Sequence, residues 1–198
     1  MPGSSRRNPL RLMVLATLCE QPTHPYQIVQ ILKDRGKDRA AKLNYGSLYT
    51  VVAALERDGL VEAVGVTSQG NLPPRTTYRV TGAGKRELID WVSQTIGRPQ
   101  TEYPAYLAAL SQLPIVSPDH ALELLEQRAT ALRQRQAVEQ TRMDRARADL
   151  PAVFFLEHDY AAALTRADLE FTEALAEQIR TDSLDGQALW RAAHAPTA

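Results

Sequence analysis

Apolar residues recur at helical spacing in three segments near the start of the chain. Each segment places them three and four positions apart, which is the spacing of one face of an α-helix. The first segment lies between Asn8-Pro9 and Gln21-Pro22, and the second starts at His24-Pro25. The third is the clearest, because Asn44 is a good N-cap and Gly59 a C-terminal stop. Its predicted buried face consists of Leu48, Val51, Val52 and Leu55.

The period of the pattern then changes from helical to alternating. Leu60–Thr67 and Thr76–Thr81 alternate apolar and polar positions, and residues 68–75 between them are typical of a turn, so we predict a β-hairpin. Thr81 is also the predicted cap of a fourth helix, which ends at Gly97-Arg98-Pro99. Short helices followed by a hairpin indicate a winged helix-turn-helix. The apolar residues of the fourth helix are Leu88, Ile89, Val92 and Ile96.

The second half of the chain carries helical patterns alone. We predict a short helix around Tyr103–Leu113 and a long one that starts at Ser117-Pro118 and meets no breaker before Pro151. The long helix has the spacing of a coiled-coil seam over about four heptads, with a polar centre at Gln136 and Glu139. The seam positions are Leu122, Leu125, Ala129, Leu132, Gln136, Glu139, Met143, Ala146 and Leu150.

A second long helix is predicted over Ala152–Thr181, and the residues after it, 182–198, are expected to be loose. Helices of roughly 30 residues are about 45 Å long, too long for one small domain to cover alone. We therefore expect a homodimer held together by these helices. The apolar stripe of the second helix is Val153, Leu156, Tyr160, Leu164, Ala167, Phe171, Leu175 and Ile179. The predicted dimer contacts are Leu122, Leu125, Ala129, Leu132, Met143, Leu156, Leu164, Phe171 and Leu175.

Charge separates the two halves of this 198-residue chain. Residues 1–99 hold 14 Lys and Arg against 8 Asp and Glu, whereas residues 100–198 hold 9 against 15. A basic half beside an acidic half predicts that residues 1–99 bind a polyanion and that residues 100–198 have another role. The single cysteine, Cys19, excludes an internal disulfide. No apolar run is long enough for a membrane helix, so we expect a soluble cytoplasmic protein without membrane contact.

The third helix has the surface that DNA recognition requires. A helix that enters the major groove presents small and polar side chains outward while its other face packs on its own domain. Ser47, Tyr49, Thr50 and Ala54 form that outward face, and Asn44-Tyr45-Gly46 begin the helix, where free N–H groups favour a phosphate. We therefore predict that residues 1–99 bind double-stranded DNA. The alternative is a helical protein–protein adaptor whose winged helix is structural.

The stretch Leu10–Trp91 resembles the PadR family of bacterial transcriptional regulators. Its motifs stand in the family's order and spacing over about eighty residues, and the helical second half resembles the dimerisation domain of the larger PadR subgroup. The motifs are His24-Pro25-Tyr26, Gly46-Ser47-Leu48-Tyr49, Leu55-Glu56-Arg57-Asp58-Gly59-Leu60 and Pro74-Arg75-Thr76-Thr77-Tyr78-Arg79-Val80-Thr81-Gly82-Ala83-Gly84.

This resemblance implies a homodimeric regulator, usually a repressor, that binds an inverted repeat and releases it when a small molecule arrives. By position, the recognition helix and the wing supply the DNA contacts. Three positions depart from the family pattern: Pro25 stands where the family has Gly, Leu72-Pro73 replace Gly-Arg, and Thr76-Thr77 replace Lys-Tyr. The wing therefore has fewer hydrogen-bond donors and cations than usual. We expect Lys37, Arg39 and Lys42 to compensate for this loss. The predicted DNA-binding residues are Tyr26, Lys42, Asn44, Tyr45, Ser47, Tyr49, Thr50, Arg75 and Thr76.

Other side chains suggest weaker chemistry. Trp91, Tyr103 and Tyr106 are candidate contacts for a small aromatic effector, although aromatic residues at helical spacing also suit a core. Glu157-His158-Asp159 holds acid and base types, yet successive helix residues point about 100° apart and cannot converge on one metal; we expect a solvated helix face. No nucleophile, base and orienting group can be placed together. We therefore predict no enzyme activity, no cofactor and no metal.

Overall fold

A computed structural model describes residues 8–37, 41, 43–67, 75–147 and 151–195. The chain divides into two compact units, Met1–Thr101 and Glu102–Ala198. Within the described residues, no helix is long and apolar enough to cross a membrane. The architecture is mostly α-helical with one small β-hairpin, which confirms the predicted fold class.

The first unit consists of four helices and two strands. Each of the four helices begins with a side-chain cap that accepts a hydrogen bond from a backbone N–H in the first turn; the capping residues are Asn8, His24, Asn44 and Thr81. These are the start signals visible in the sequence. The elements are α1 (Pro9–Glu20), α2 (Pro25–Asp34), α3 (Tyr45–Arg57), β1 (Val61–Thr67), β2 (Arg75–Val80) and α4 (Gly82–Gly97).

One apolar core holds α1, α2, α3 and the start of β1 together. The predicted inner face of α3 lies in it, and Leu48 and Leu55 are fully buried. At its edge the buried Arg11 guanidinium donates to Asp58 Oδ2 at 2.7 Å, which ties α1 to the end of α3. The core residues are Leu10, Met13, Val14, Leu15, Leu18, Ile28, Val29, Leu32, Leu48, Val51, Val52, Leu55 and Val61.

The hairpin pairs β1 with β2 in antiparallel register, from Val61 opposite Val80 to Thr67 opposite Arg75. Thr23 extends the pairing, because its backbone exchanges two hydrogen bonds with Tyr78 at 3.0 and 2.9 Å. The strands thus begin within a residue of their predicted starts. Residues 68–74, which include the Leu72-Pro73 departure, lie outside the described residues.

Among the described glycines of this unit, Gly84 leaves the least room for a Cβ atom. A Cβ at that position would lie 2.1 Å from the Leu60 carbonyl oxygen and 2.8 Å from Val80 Cγ2. Thr81 fixes the same corner, because its hydroxyl accepts from the Gly84 N–H and donates to the Gly59 carbonyl oxygen. Glycine is therefore required where α4 leaves the hairpin.

The second unit is built on two long helices. They pair in antiparallel fashion, from Glu126 with Arg180 at one end to Glu139 with His158 near the connecting turn. The second long helix was predicted over 152–181 and is observed over Leu156–Arg180, after a 3₁₀ turn over Ala152–Phe154. The connection between the two long helices includes Pro151, where a stop was predicted. The elements are α5 (Ala105–Leu110), a 3₁₀ turn (Leu113–Ile115), α6 (Pro118–Ala146), α7 (Leu156–Arg180) and α8 (Gln187–Ala193).

Two expectations about this unit are wrong. The residues after 181 are not all loose: α8 packs on the base of the helix pair, and Trp190 Nε1–H donates to the Val116 carbonyl oxygen at 2.7 Å. His158 does not lie on a solvated face, since it is 5 % exposed and its Nδ1 is 2.9 Å from Glu139 Oε1. A polar residue at a seam position, Glu139, needed a buried partner, and α7 supplies it.

Candidate DNA interface

The starts of α2 and α3 are held by side-chain caps. His24 Nδ1 accepts from the Gln27 N–H at 3.1 Å, and Asn44 Oδ1 accepts from the Ser47 N–H at 2.7 Å. Because Pro25 has no N–H to satisfy, it fits the first position of α2. These bonds give Asn44 a structural task at the helix end where the sequence places a DNA contact.

The outer face of α3 is polar and open to solvent. Ser47, Tyr49 and Thr50 are all exposed, and the Tyr49 side chain is 55 % accessible. Thr50 Oγ1 donates back to the Gly46 carbonyl oxygen at 3.1 Å. The helix therefore has the division into a packed face and an open polar face that a groove-reading helix needs.

A shared cleft brings α2, α3 and β2 together at this surface. His24 and Tyr49 line it beside Arg75 and Thr76, the first two residues of β2. Side chains from three separate parts of the sequence thus meet at one place. The other lining residues are Pro25, Val52, Ala53 and Tyr78.

Aromatic rings and cations are stacked next to the cleft. The Tyr26 and Tyr45 rings are 5.3 Å apart and nearly parallel, at 14°. The Arg75 guanidinium carbon lies 5.2 Å from the Tyr26 ring centre, and Lys33 Nζ lies 5.4 Å from the Tyr45 ring centre. We refer to Arg75, Tyr26, Tyr45 and Lys33 as the tyrosine stack. Lys33 was absent from the predicted DNA-binding residues, although it begins a basic stretch of the sequence that continues to Lys42.

The His24 ring sits close to positive charge. Burial lowers the pKa of His24 below its ordinary value, and the nearby charge of Arg75 lowers it further. The ring is therefore neutral at pH 7. Since Nδ1 accepts from the Gln27 N–H, the ring proton of the neutral form lies on Nε2. The neutral His24 ring can then donate a hydrogen bond only through Nε2–H.

Part of the predicted basic surface lies outside the described residues. This applies to Lys42 and Arg39, while Lys37 is described and half-buried. Their expected role in compensating for the wing stays a prediction.

The three candidate effector residues have different surroundings. Trp91 is buried in the first unit, and Tyr103 is 92 % exposed in the second. Tyr106 is already engaged, because the Arg128 guanidinium carbon lies 3.3 Å from its ring centre and Arg128 also pairs with Asp168. Tyr106 therefore joins α5 to α6 and α7, a role the sequence did not indicate.

The predicted dimer residues divide into two groups. Those on α6, together with Leu175, are buried or half-buried within the single chain, where α6 packs on α7. Leu156, Leu164 and Phe171 of α7 are 61, 53 and 51 % exposed. The interpretation of the α6 seam as a surface for a second chain is thus corrected, because α7 of the same chain covers it. Leu150 lies outside the described residues.

Among the described residues, no group of three or more His, Cys, Asp or Glu side chains could hold a metal ion.

The fold and this surface define a winged-helix protein with a helical second domain. Residues 14–90 match the transcriptional regulator PadR-like family. The matched residues lie within the first unit, which is therefore similar to the PadR-like transcriptional regulators. No curated protein sequence matches the chain.

Solved structures share the fold over both units. Bacillus subtilis PadR in complex with operator DNA is 18% identical, with a TM-score of 0.72 over 86% of this chain and 98% of that one. The same protein in complex with p-coumaric acid is 16% identical over the same shares, also with a TM-score of 0.72. A PadR-like transcriptional regulator from Bacillus cereus is 16% identical, with a TM-score of 0.64 over 87% of this chain and 99% of that one.

Proposed function

We propose that the chain is a repressor that binds an inverted-repeat operator as a homodimer and leaves it when a small aromatic effector binds. The DNA-binding part of this proposal is supported by the open polar face of α3, which lies beside a cleft lined by His24, Arg75 and Thr76. A binding mode follows from it, in which Ser47, Tyr49 and Thr50 face the major groove. Arg75 and Tyr26 then lie towards the phosphates.

The test of DNA binding starts from the full-length protein and random-sequence duplexes. Rounds of selection yield the preferred site, and fluorescence anisotropy measures affinity for it. Tyr49→Ala is expected to weaken binding by about 1–3 kcal/mol, the range of a good base contact. Tyr103→Ala is the matched control, because it removes another exposed tyrosine from the second unit. Unchanged affinity of Tyr49→Ala would remove that residue from the interface, and failure to select any site favours the adaptor alternative.

The dimer proposal rests on the outer face of α7. Leu156, Tyr160, Leu164 and Phe171 recur at steps of four and seven, and each is more than half exposed. Such a contiguous apolar face on a charged helix marks an interaction surface. The solved PadR structures share the fold of this unit. We propose that a second copy of the chain covers the apolar face of α7. The spacing of two winged helices then sets the spacing of the operator half-sites.

Sedimentation velocity tests the dimer. Leu164→Glu is expected to shift the protein to monomer at micromolar concentration, because it places a charge in an apolar contact. Val138→Glu, an exposed valine on α6, is the matched control and should leave the dimer intact. A wild-type protein that is monomeric at this concentration, or a Leu164→Glu dimer of wild-type strength, contradicts the proposal.

The effector proposal keeps Trp91 as the candidate contact for an aromatic ligand. The complex of Bacillus subtilis PadR with p-coumaric acid supports an acid of this class as the first probe. Such a ligand shifts the equilibrium between the DNA-binding form and the form that does not bind DNA only as far as its affinities for the two forms differ. Trp190→Phe leaves Trp91 as the single tryptophan, so quenching of its fluorescence and DNA release can be followed in one titration. Release without quenching would place the ligand away from Trp91.

A further inference from the structure

The tyrosine stack joins three separate parts of the chain. Tyr26 and Lys33 lie on α2, Tyr45 is the first residue of α3, and Arg75 is the first residue of β2. Seven residues of helix separate Tyr26 from Lys33, which corresponds to about 10 Å along α2. The Tyr45 ring centre lies 5.3 Å from the Tyr26 ring centre and 5.4 Å from Lys33 Nζ, so Tyr45 bridges the gap between these two side chains.

Tyr45 is the anchored member of this stack. Its ring is half-buried and packs on the core of the first unit, and its hydroxyl accepts a hydrogen bond from Gln30 Nε2 at 2.8 Å. Tyr26 is 43 % exposed and lies between Tyr45 and Arg75. The order of contacts therefore runs from the core, through two rings, to a guanidinium at the base of the wing.

We propose that Tyr45 is a positioning residue of the DNA interface, which holds the Tyr26 ring as a platform under Arg75 and so pre-orders the guanidinium for a phosphate. This inference rests on the proposed function, DNA binding by the first unit. A flexible arginine loses side-chain freedom when it binds, and a guanidinium already held on an aromatic face loses less. The ring face holds the cation without adding an opposing charge.

His24 provides a test in the free protein. Burial is the main cause of its lowered pKa, and the charge of Arg75 is the second. Arg75→Gln removes the charge and should raise the pKa of His24 towards its ordinary value. If the stack holds Arg75 in place, Tyr45→Leu should raise that pKa in the same direction. Tyr45→Phe keeps both ring contacts and should leave the pKa at its wild-type value. Proton NMR titration of His24 measures all three variants.

Two outcomes of the titration contradict the inference. One is a His24 pKa that rises in Arg75→Gln but not in Tyr45→Leu, because Arg75 would then keep its place without the stack. The other is a pKa that does not respond to Arg75→Gln, because Arg75 would then lie elsewhere. Tyr26→Leu is the second variant in case Tyr45→Leu unfolds, since it removes the middle ring from a half-exposed site.

Affinity for the selected duplex gives the second readout. We expect Tyr45→Leu to weaken binding about three- to tenfold and Tyr45→Phe to bind like wild type. In an Arg75→Gln background, Tyr45→Leu should add less than about twofold, because the group it positions is already gone. Equal losses in both backgrounds would show that Tyr45 does not act through Arg75. A protein that selects no DNA refutes the proposed function, while the His24 titration still decides whether Tyr45 holds Arg75.

Discussion

The buried contact between Glu139 and His158 should control how α6 and α7 pair. Both side chains are less than a tenth exposed, and His158 Nδ1 lies 2.9 Å from Glu139 Oε1. Loss of a hydrogen bond to a charged group costs about 1.5–3 kcal/mol, because the remaining partner stays buried. Replacement of both partners by apolar residues of similar size is nearly neutral. Glu139→Leu and His158→Leu should therefore each cost about 2 kcal/mol, and the double variant about 1 kcal/mol.

The same helix supplies a matched control. His120 Nδ1 lies 3.3 Å from Glu123 Oε2, and both of these side chains are more than half exposed. An exposed pair of this kind contributes about 0.2–1 kcal/mol. The cycle built on His120→Leu and Glu123→Leu should thus show a coupling of at most about 1 kcal/mol, whereas the buried pair should show a coupling of about 3 kcal/mol.

Urea unfolding at one fixed protein concentration measures both cycles. Trp91→Phe leaves Trp190 as the single tryptophan, and Trp190 packs on the core of the second unit. Its fluorescence therefore follows this unit alone. Additive costs at Glu139 and His158, or the same coupling in the exposed pair, would refute the reasoning that burial makes this contact strong.

Three further predictions concern the first unit. Gly84→Ala should lower the free energy of unfolding by about 3 kcal/mol or more, because its Cβ meets the Leu60 carbonyl oxygen. Gly82→Ala, at the start of the same helix, is the control and should change stability little in thermal or urea unfolding. Equal effects of the two substitutions would contradict the close approach. The stability that neutral His24 contributes is present above its ordinary pKa of about 6.5 and is lost as the pH falls through its lowered folded pKa. His24→Asn keeps the cap and should unfold with less dependence on pH between 5 and 7.5. Operator binding should weaken with salt, with a log–log slope steeper than about −3; a shallower slope would count against phosphate contacts.

Local signals explain why the first unit could be predicted from the sequence. Asn44 and Gly59 bound α3 as expected, since a cap and a left-handed glycine at φ 71° act on their own helix ends. The hairpin followed from the alternating period, and its strands pair as antiparallel neighbours. These features depend on residues close in the chain, which is why a single sequence reveals them.

The second unit shows where such patterns stop being informative. The α6 seam predicted an apolar partner, but a periodic stripe does not say whether the partner is another chain or the next helix. The buried residues of α7 are His158, Thr172, Ala176 and Ile179, and only Ile179 belongs to the apolar stripe read from the sequence. Larger apolar residues of that stripe, such as Phe171, stay exposed. Side-chain size alone thus predicted only one end of the buried face.

The DNA surface depends on contacts that no local pattern contains. Arg75 and Tyr26 are far apart in sequence, and their contact exists because β2 and α2 are joined through Thr23 and Tyr78. Elsewhere in the unit, Glu62 pairs with Arg79 and Asp58 pairs with Arg11. A carboxylate offsets the charge that it orders, whereas a tyrosine face orders a guanidinium and leaves the net charge unchanged. The stacking of Arg75 on Tyr26 thus adds no negative charge at the cleft where we propose that DNA binds.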